Sequence, residues 1–296
     1  MNGLSGSGKS AWRVILAREL RDLWIGGKAL HLMLIYSLLL GIYSFLLASN
    51  AEVQLLPRKE MVLEMVKASI AVCLLISLLI GADSVSGERE RGTLEVLLLT
   101  PATRRQLMLG KLTAAMSPWP VALAISIPYW AVLAKGDPVF GQALIWATLC
   151  GTLMVPATAA LGMLASMWCN TNKSAMMLSL GIFLLMLIPV EVTRPGRTAT
   201  VGEMKKAAVL LWVNPWDAVA SFLGNVLALG SHPSQVLYQL TLPVAFPIIV
   251  LMFLFWYGRR GLKIHAETAT WLQSIWRRWT SWIPVAALRP RPSAHP

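Results

Sequence analysis

Six apolar stretches, each 18 to 27 residues long, recur along this 296-residue chain, at 29–48, 66–85, 112–134, 142–168, 175–192 and 236–257. At 1.5 Å rise per residue, about 20 helical residues cross a hydrocarbon core of about 30 Å. Lipid offers no partner to a backbone N–H or C=O, so continuous segments of this length must satisfy themselves as helices. The expected fold is all-α: a polytopic membrane protein with six transmembrane helices. Pro118, Pro120, Pro128, Pro156, Pro243 and Pro247 fall in the third, fourth and sixth segments, where kinks are expected.

Composition agrees. The chain is 56% hydrophobic and 14% charged, against about 25% charged residues in soluble proteins, and its mean hydropathy is +0.61. The net charge of +12 collects in no tail or face that would bind nucleic acid; it fills the gaps between apolar segments. With six spans both termini share a side, and if that side is cytoplasmic it holds 18 of the 26 Lys and Arg, as the positive-inside rule requires. Trp24, Trp130, Trp146, Trp168 and Trp256 fall near span ends and are expected as interfacial anchors. The first apolar segment follows 28 residues and exceeds a signal-peptide core, so it is read as a retained anchor. Cys73, Cys150 and Cys169 have no metal-ligand spacing and read as packing residues; no metal site is expected.

Lys, Arg, His, Asp and Glu are missing from the middle of every segment; Lys67, Asp83 and Glu191 lie near ends. Proton relays and ion paths need such groups, so an energy source outside the spans is expected. Gly3-Leu4-Ser5-Gly6-Ser7-Gly8-Lys9-Ser10 matches a phosphate-binding loop, but that loop works between a buried strand and a helix. Only Met1 and Asn2 precede it, and residues 1–10 are read as a flexible leader. Over 12–24, Trp12, Ile15, Leu16, Leu20, Leu23 and Trp24 form an apolar stripe with Arg13, Arg18, Arg21 and Asp22 turned mostly away, a pattern for an interfacial helix.

The region 87–111 is charged and helix-forming, yet it stands between two apolar spans. Glu88, Arg91 and Glu95 align at helical steps, and Leu94, Leu97 and Leu98 form an apolar knob. Pro101 ends the helix by driving Thr100 out of the α region. A short helix with an apolar tip is suited to seat in a partner's groove.

The run Gly87-Glu88-Arg89-Glu90-Arg91-Gly92-Thr93-Leu94-Glu95, with Leu98, Thr100-Pro101, Arg104 and Gly110-Lys111, resembles the type-2 permease family of ATP-binding-cassette (ABC) exporters. The resemblance implies that 88–99 is a cytoplasmic coupling helix and 12–24 the connecting helix beside it, with Trp12, Arg13, Arg18 and Leu20 among its residues. It also implies two copies of a separate ABC ATPase that bind ATP and Mg, a second permease copy as homo- or heterodimer, and a bacterial inner-membrane location. This chain itself would bind no cofactor and perform no bond chemistry. The glycine-rich leader and the Trp-rich tail depart from the family pattern.

Ser69, Cys73, Ser77 and Gly81 repeat every four residues, which lets helices approach closely. They suit an interface between permeases or a cargo path, but ordinary packing within one subunit is preferred, and Gly151, Thr152, Ala159, Gly162 and Ser166 read the same way. The outer segment 191–235 contains an amphipathic stretch over 212–229, read as re-entrant or lid-like, and 259–296 is a basic, Trp-rich tail read as lying on the membrane surface. The permease domain is thus expected over 11–258, moving a hydrophobic or amphipathic cargo. A non-transporting membrane scaffold and an intramembrane enzyme are the alternatives; His31, His232, His265 and His295 all lie outside span centres, which disfavours the enzyme.

Overall fold

The computed structural model describes residues 11–50, 57–93, 103–192, 214–232 and 237–261, all in helices and the turns that join them. The helices are α1 (Ala11–Trp24), α2 (Lys28–Ser49), α3 (Arg58–Glu90), α4 (Arg104–Met116), α5 (Pro118–Ala134), α6 (Val139–Trp168), α7 (Asn172–Val192), α8 (Pro215–Leu223) and α9 (Thr241–Gly261). One π-helical stretch, Gly224–Ala228, extends α8, and a 3-10 turn, Leu237–Leu240, leads into α9. Five runs are long and apolar enough to cross a membrane: α2, α3, α4 with α5, α6, and Leu237–Gly258. The proposed fifth span falls on α7, whose described apolar part is Asn172–Leu187.

The third span differs from the expected single segment. It starts earlier, at Arg104, under a capping box in which Thr103 and Gln106 satisfy each other's backbone N–H. It then breaks at Ser117, because Pro118 and Pro120 remove two of three consecutive backbone donors. Pro128, Pro156 and Pro247 lie inside continuous helices.

The core is the contact of α3 with α6, the most extensive between any two elements. Ser69, Cys73, Ser77 and Gly81 are all buried, so the four-residue repeat packs within one chain. Ser77 Oγ lies 2.8 Å from Thr158 Oγ1 on α6. A Cβ on Gly81 would overlap the Ala159 carbonyl oxygen, and one on Gly162 the Leu78 carbonyl oxygen, so each backbone passes where only glycine fits. Of the corresponding α6 residues, Gly151, Ala159, Gly162 and Ser166 are buried, whereas Thr152 is exposed and stands off this seam. Tyr36 Oη of α2, 2.6 Å from Ser126 Oγ of α5 and 3.3 Å from the Ser69 carbonyl oxygen, ties two more helices to α3.

Two expectations about tryptophan fail. Trp130 is 1% exposed in the core, and Trp146 meets Phe222 edge-on with centroids 5.1 Å apart. Trp130 belongs to the buried core, and Phe222 of α8 covers a face of Trp146 that sequence alone would assign to lipid. Trp168 and Trp256 are exposed, as anchors should be. Nor is α8 a surface lid: Trp216, Val219, Phe222 and Leu223 are buried, and the helix packs on α7 and α9. Its Asn214 cap accepts from the Trp216 N–H at 3.0 Å and donates to the Met186 carbonyl at 2.7 Å. Asp217 is buried beside that cap, and desolvation pushes its carboxyl up to about 6.

Candidate functional site at the end of α3

At 33 residues α3 is the longest helix, and at 1.5 Å per residue it outruns a core of about 30 Å by several turns. Its surplus carries the charged residues Asp83 to Arg91, which are polar enough to stand outside lipid. The helix stops at Glu90: Arg91 caps it, and Gly92 takes a left-handed φ of 68°, which glycine adopts without steric cost. This corrects the expected helix over 88–99. Glu88 belongs to the last turn of the spanning helix, and a turn separates it from whatever follows Thr93. Leu94, Glu95, Leu97, Leu98, Thr100 and Pro101 lie outside the described residues, as do the leader, the tail and most of the outer segment.

Nearly every polar group in this terminal stretch engages a different helix. Lys111 of α4 is 2% exposed, and its Nζ lies 2.8 Å from Glu19 Oε1 of α1, 2.8 Å from Glu88 Oε1, and 2.9 Å from the Ser84 carbonyl oxygen. An ammonium has three protons, and each has an acceptor. A buried lysine without such partners would be costly. One turn back, Asp83 Oδ2 pairs with Lys28 of α2 at 2.5 Å and with Arg91 at 3.7 Å, while Oδ1 accepts from Asn172 Nδ2 of α7 at 2.8 Å. Glu90 Oε1 accepts from the Asn172 backbone N–H at 2.7 Å, placing a carboxylate at the N-terminus of α7, where the helix dipole favours it. Arg89 Nη1 donates to the Cys169 carbonyl, and Ser166 Oγ accepts from the Val85 and Ser86 N–H groups. One helix end thereby holds α1, α2, α4, α6 and α7.

Helix α1 packs on α4, with Ile15 and Leu23 buried. Its apolar stripe therefore meets protein where lipid was expected. Trp12 and Leu20 are half-buried and Arg13 and Arg18 exposed; Arg13 stacks over the Trp12 ring at 5.8 Å, and Arg18 lies 3.9 Å from Asp22. The functional residues that sequence reasoning missed are Glu19, Asp83 and Asn172. Glu19 had a signal: it stands four residues from both Ile15 and Leu23, a carboxylate set into the buried stripe. Asn172 had none, because its role depends on which helix end comes to rest beside Asp83.

Nothing in this cluster is arranged for bond chemistry. Among the described residues no three His, Cys, Asp or Glu side chains gather as a metal site. The arrangement fastens the two chain segments flanking 94–102 to the interfacial helix and to neighbouring spans.

Sequence comparison points the same way. The chain is 28% identical over 221 residues to the probable ABC transporter permease protein NosY of Stutzerimonas stutzeri, covering 67% of this chain and 76% of that protein. It is 29% identical over 136 residues to the probable multidrug ABC transporter permease YbhR of Escherichia coli K12, covering 45% of this chain and 34% of YbhR. Residues 14–262 match the ABC-2 family transporter protein profile, a range that takes in every helix of the cluster from Ile15 to Gly261. The chain belongs to the ABC-2 family of transporter proteins.

Proposed function

We propose that this chain is the membrane-spanning permease subunit of an ATP-driven ABC exporter. In this reading it crosses a bacterial inner membrane six times with both termini cytoplasmic, pairs with a second permease copy, and receives force from two copies of a separate ABC ATPase that binds ATP and Mg. Segment 94–99 is the contact with the ATPase. The observation that carries the reading is the Lys111 cluster: the spans on either side of 94–102 are locked to each other and to α1 by one buried cation. A push delivered to the loop is then passed to α1, α3 and α4 together, because breaking the cluster would leave charges buried without partners. The positive-inside distribution supports the orientation, and the lack of ionisable groups at span centres supports a hydrophobic or amphipathic cargo. The name of one relative, a probable multidrug permease, is in keeping with such a cargo.

The test is co-purification with a candidate ATPase, comparing wild type with Leu94→Asp plus Leu97→Asp. The substituted chain is expected to insert normally and to lose the ATPase. Normal capture by a stably inserted double variant rejects the docking assignment, and failure of wild type to capture any ABC ATPase favours the scaffold.

A further inference from the structure

A cavity of about 550 Å³ opens beside Asp83, between the α1–α2 junction, α3 and the start of α7. Its volume is in the range of small-molecule sites, about 300–1,000 Å³. The lining is graded along the membrane normal. Lys28 is the first residue of α2, Arg91 caps α3 and Asn172 opens α7, while His31 lies about one turn inside α2 and Asp83 about two turns inside α3. Leu32, Leu79 and Met176, each a turn or more into its helix, line the cavity too, as does Ile80. A charged mouth thus leads to an apolar interior at the depth where a phospholipid headgroup meets its chains.

The charge at the mouth does not cancel. Asp83 is the only acid among the lining residues, and both Lys28 and Arg91 share its Oδ2. Two cations against one carboxylate leave one positive charge in excess. Asp83 is largely enclosed, at 18% exposure, while Lys28 and Arg91 remain 45% and 56% exposed. The carboxylate is therefore spent inside the protein and the surplus charge faces the opening. Clustered Lys and Arg at the cytoplasmic interface attract anionic lipid, and a guanidinium presents a planar fork of donors suited to a phosphate.

We propose that this cavity binds one anionic phospholipid of the cytoplasmic leaflet, with its phosphate between Lys28 and Arg91 and the start of its acyl chains against Leu32, Leu79 and Met176. The site is separate from the proposed ATPase contact and holds whatever the cargo is. A bound phosphate would bridge α2 and the end of α3, the same helices that Asp83 joins, so lipid composition would set how firmly the first span is held to the cluster.

The test is native mass spectrometry of the full chain in detergent, titrated with phosphatidylglycerol, phosphatidylcholine or inorganic phosphate. Wild type should retain one phosphatidylglycerol preferentially, and phosphate alone should be retained far less. Lys28→Gln plus Arg91→Gln should weaken that retention about tenfold, and Lys28→Arg should leave it near wild type. Leu32→Trp, which fills the apolar depth and alters no charge, should weaken it as well, and it decides the matter if the double variant does not fold. Equal retention of phosphatidylcholine, or undiminished phosphatidylglycerol in Leu32→Trp, overturns the proposal. Phosphate retained as well as lipid would make this an inorganic-anion site and overturn the lipid assignment.

Discussion

The middle of α3 and its charged end are parts of one helix held by opposite means. Along the middle, Ser77 and Gly81 present only small groups to α6, and contact depends on how closely two backbones can approach. At the end, Asp83, Glu88, Arg89 and Glu90 each reach a different element through charge or hydrogen bonds. In lipid, apolar surface gives helices no reason to associate, so close packing must supply the attraction. Where water returns, charged groups become affordable and can specify partners. The result is a closely packed seam ending in a charged tip.

The comparison can be broken from either end. Lys111→Met should have the largest effect, because Glu19 and Glu88 would be left facing each other near the interior. Removing one partner of a buried ionic group costs about 3–5 kcal/mol, read as a lower melting temperature in detergent. Adding Glu88→Gln should recover part of the loss; if it recovers none, the cluster is not the cause. Gly162→Val attacks the seam instead. The new side chain would press on the Leu78 carbonyl, and overpacking of this kind costs about 1–3 kcal/mol. An unchanged melting temperature would show that the backbones are not held as close as described. Ser77→Ala removes the bond to Thr158 and the local one to the Leu74 carbonyl, and interhelical bonds in membranes average about 0.6 kcal/mol. A loss above about 2 kcal/mol, beyond the largest such bonds, would mean that the seam depends on polarity more than on closeness.

A subtler probe contrasts a buried carboxylate that has a cation with one that lacks it. Glu88 Oε2 and Asp217 Oδ2 are both buried without a hydrogen-bond partner and burial raises both carboxyls, but Lys111 opposes the rise at Glu88, while Asp217 is raised to about 6. A raised acid binds its proton more tightly folded than unfolded. Its contribution is therefore fully present below the ordinary aspartate range near 3.9 and is lost as pH rises through about 6. Melting temperatures of wild type and Asp217→Asn should accordingly diverge between pH 4 and 7, the variant being flatter. Parallel curves would show that Asp217 is not desolvated.

Much of this was legible in residue order. The apolar segments, the amphipathic helix over 12–24 and the charged interruption after the second span all follow from periodicity and length. The four-residue repeat on α3 could be seen, and its preferred assignment to packing within one chain agrees with the burial of all four residues. The interfacial assignments of Trp130 and Trp146 failed because position along a span does not reveal that another helix covers the side chain. The single helix expected over 88–99 failed at Gly92, where a left-handed residue ends α3 two positions after Glu90.

Residue order alone determined that this chain must be helical, where it can cross lipid, and which stretch must remain outside, because those outcomes depend on local hydropathy and on the backbone's need for hydrogen bonds. Tertiary structure decided what the charged end of α3 is for. Lys28, Lys111 and Asn172 lie 23 or more positions from the α3 groups they meet, Glu19 lies far in sequence from Lys111 of α4, and no local pattern encodes a pairing between helix ends. Close packing through Gly81 and Gly162 fixes α3 on α6, and at the end of α3 a lysine too buried to stand alone finds its three acceptors on α1 and α3.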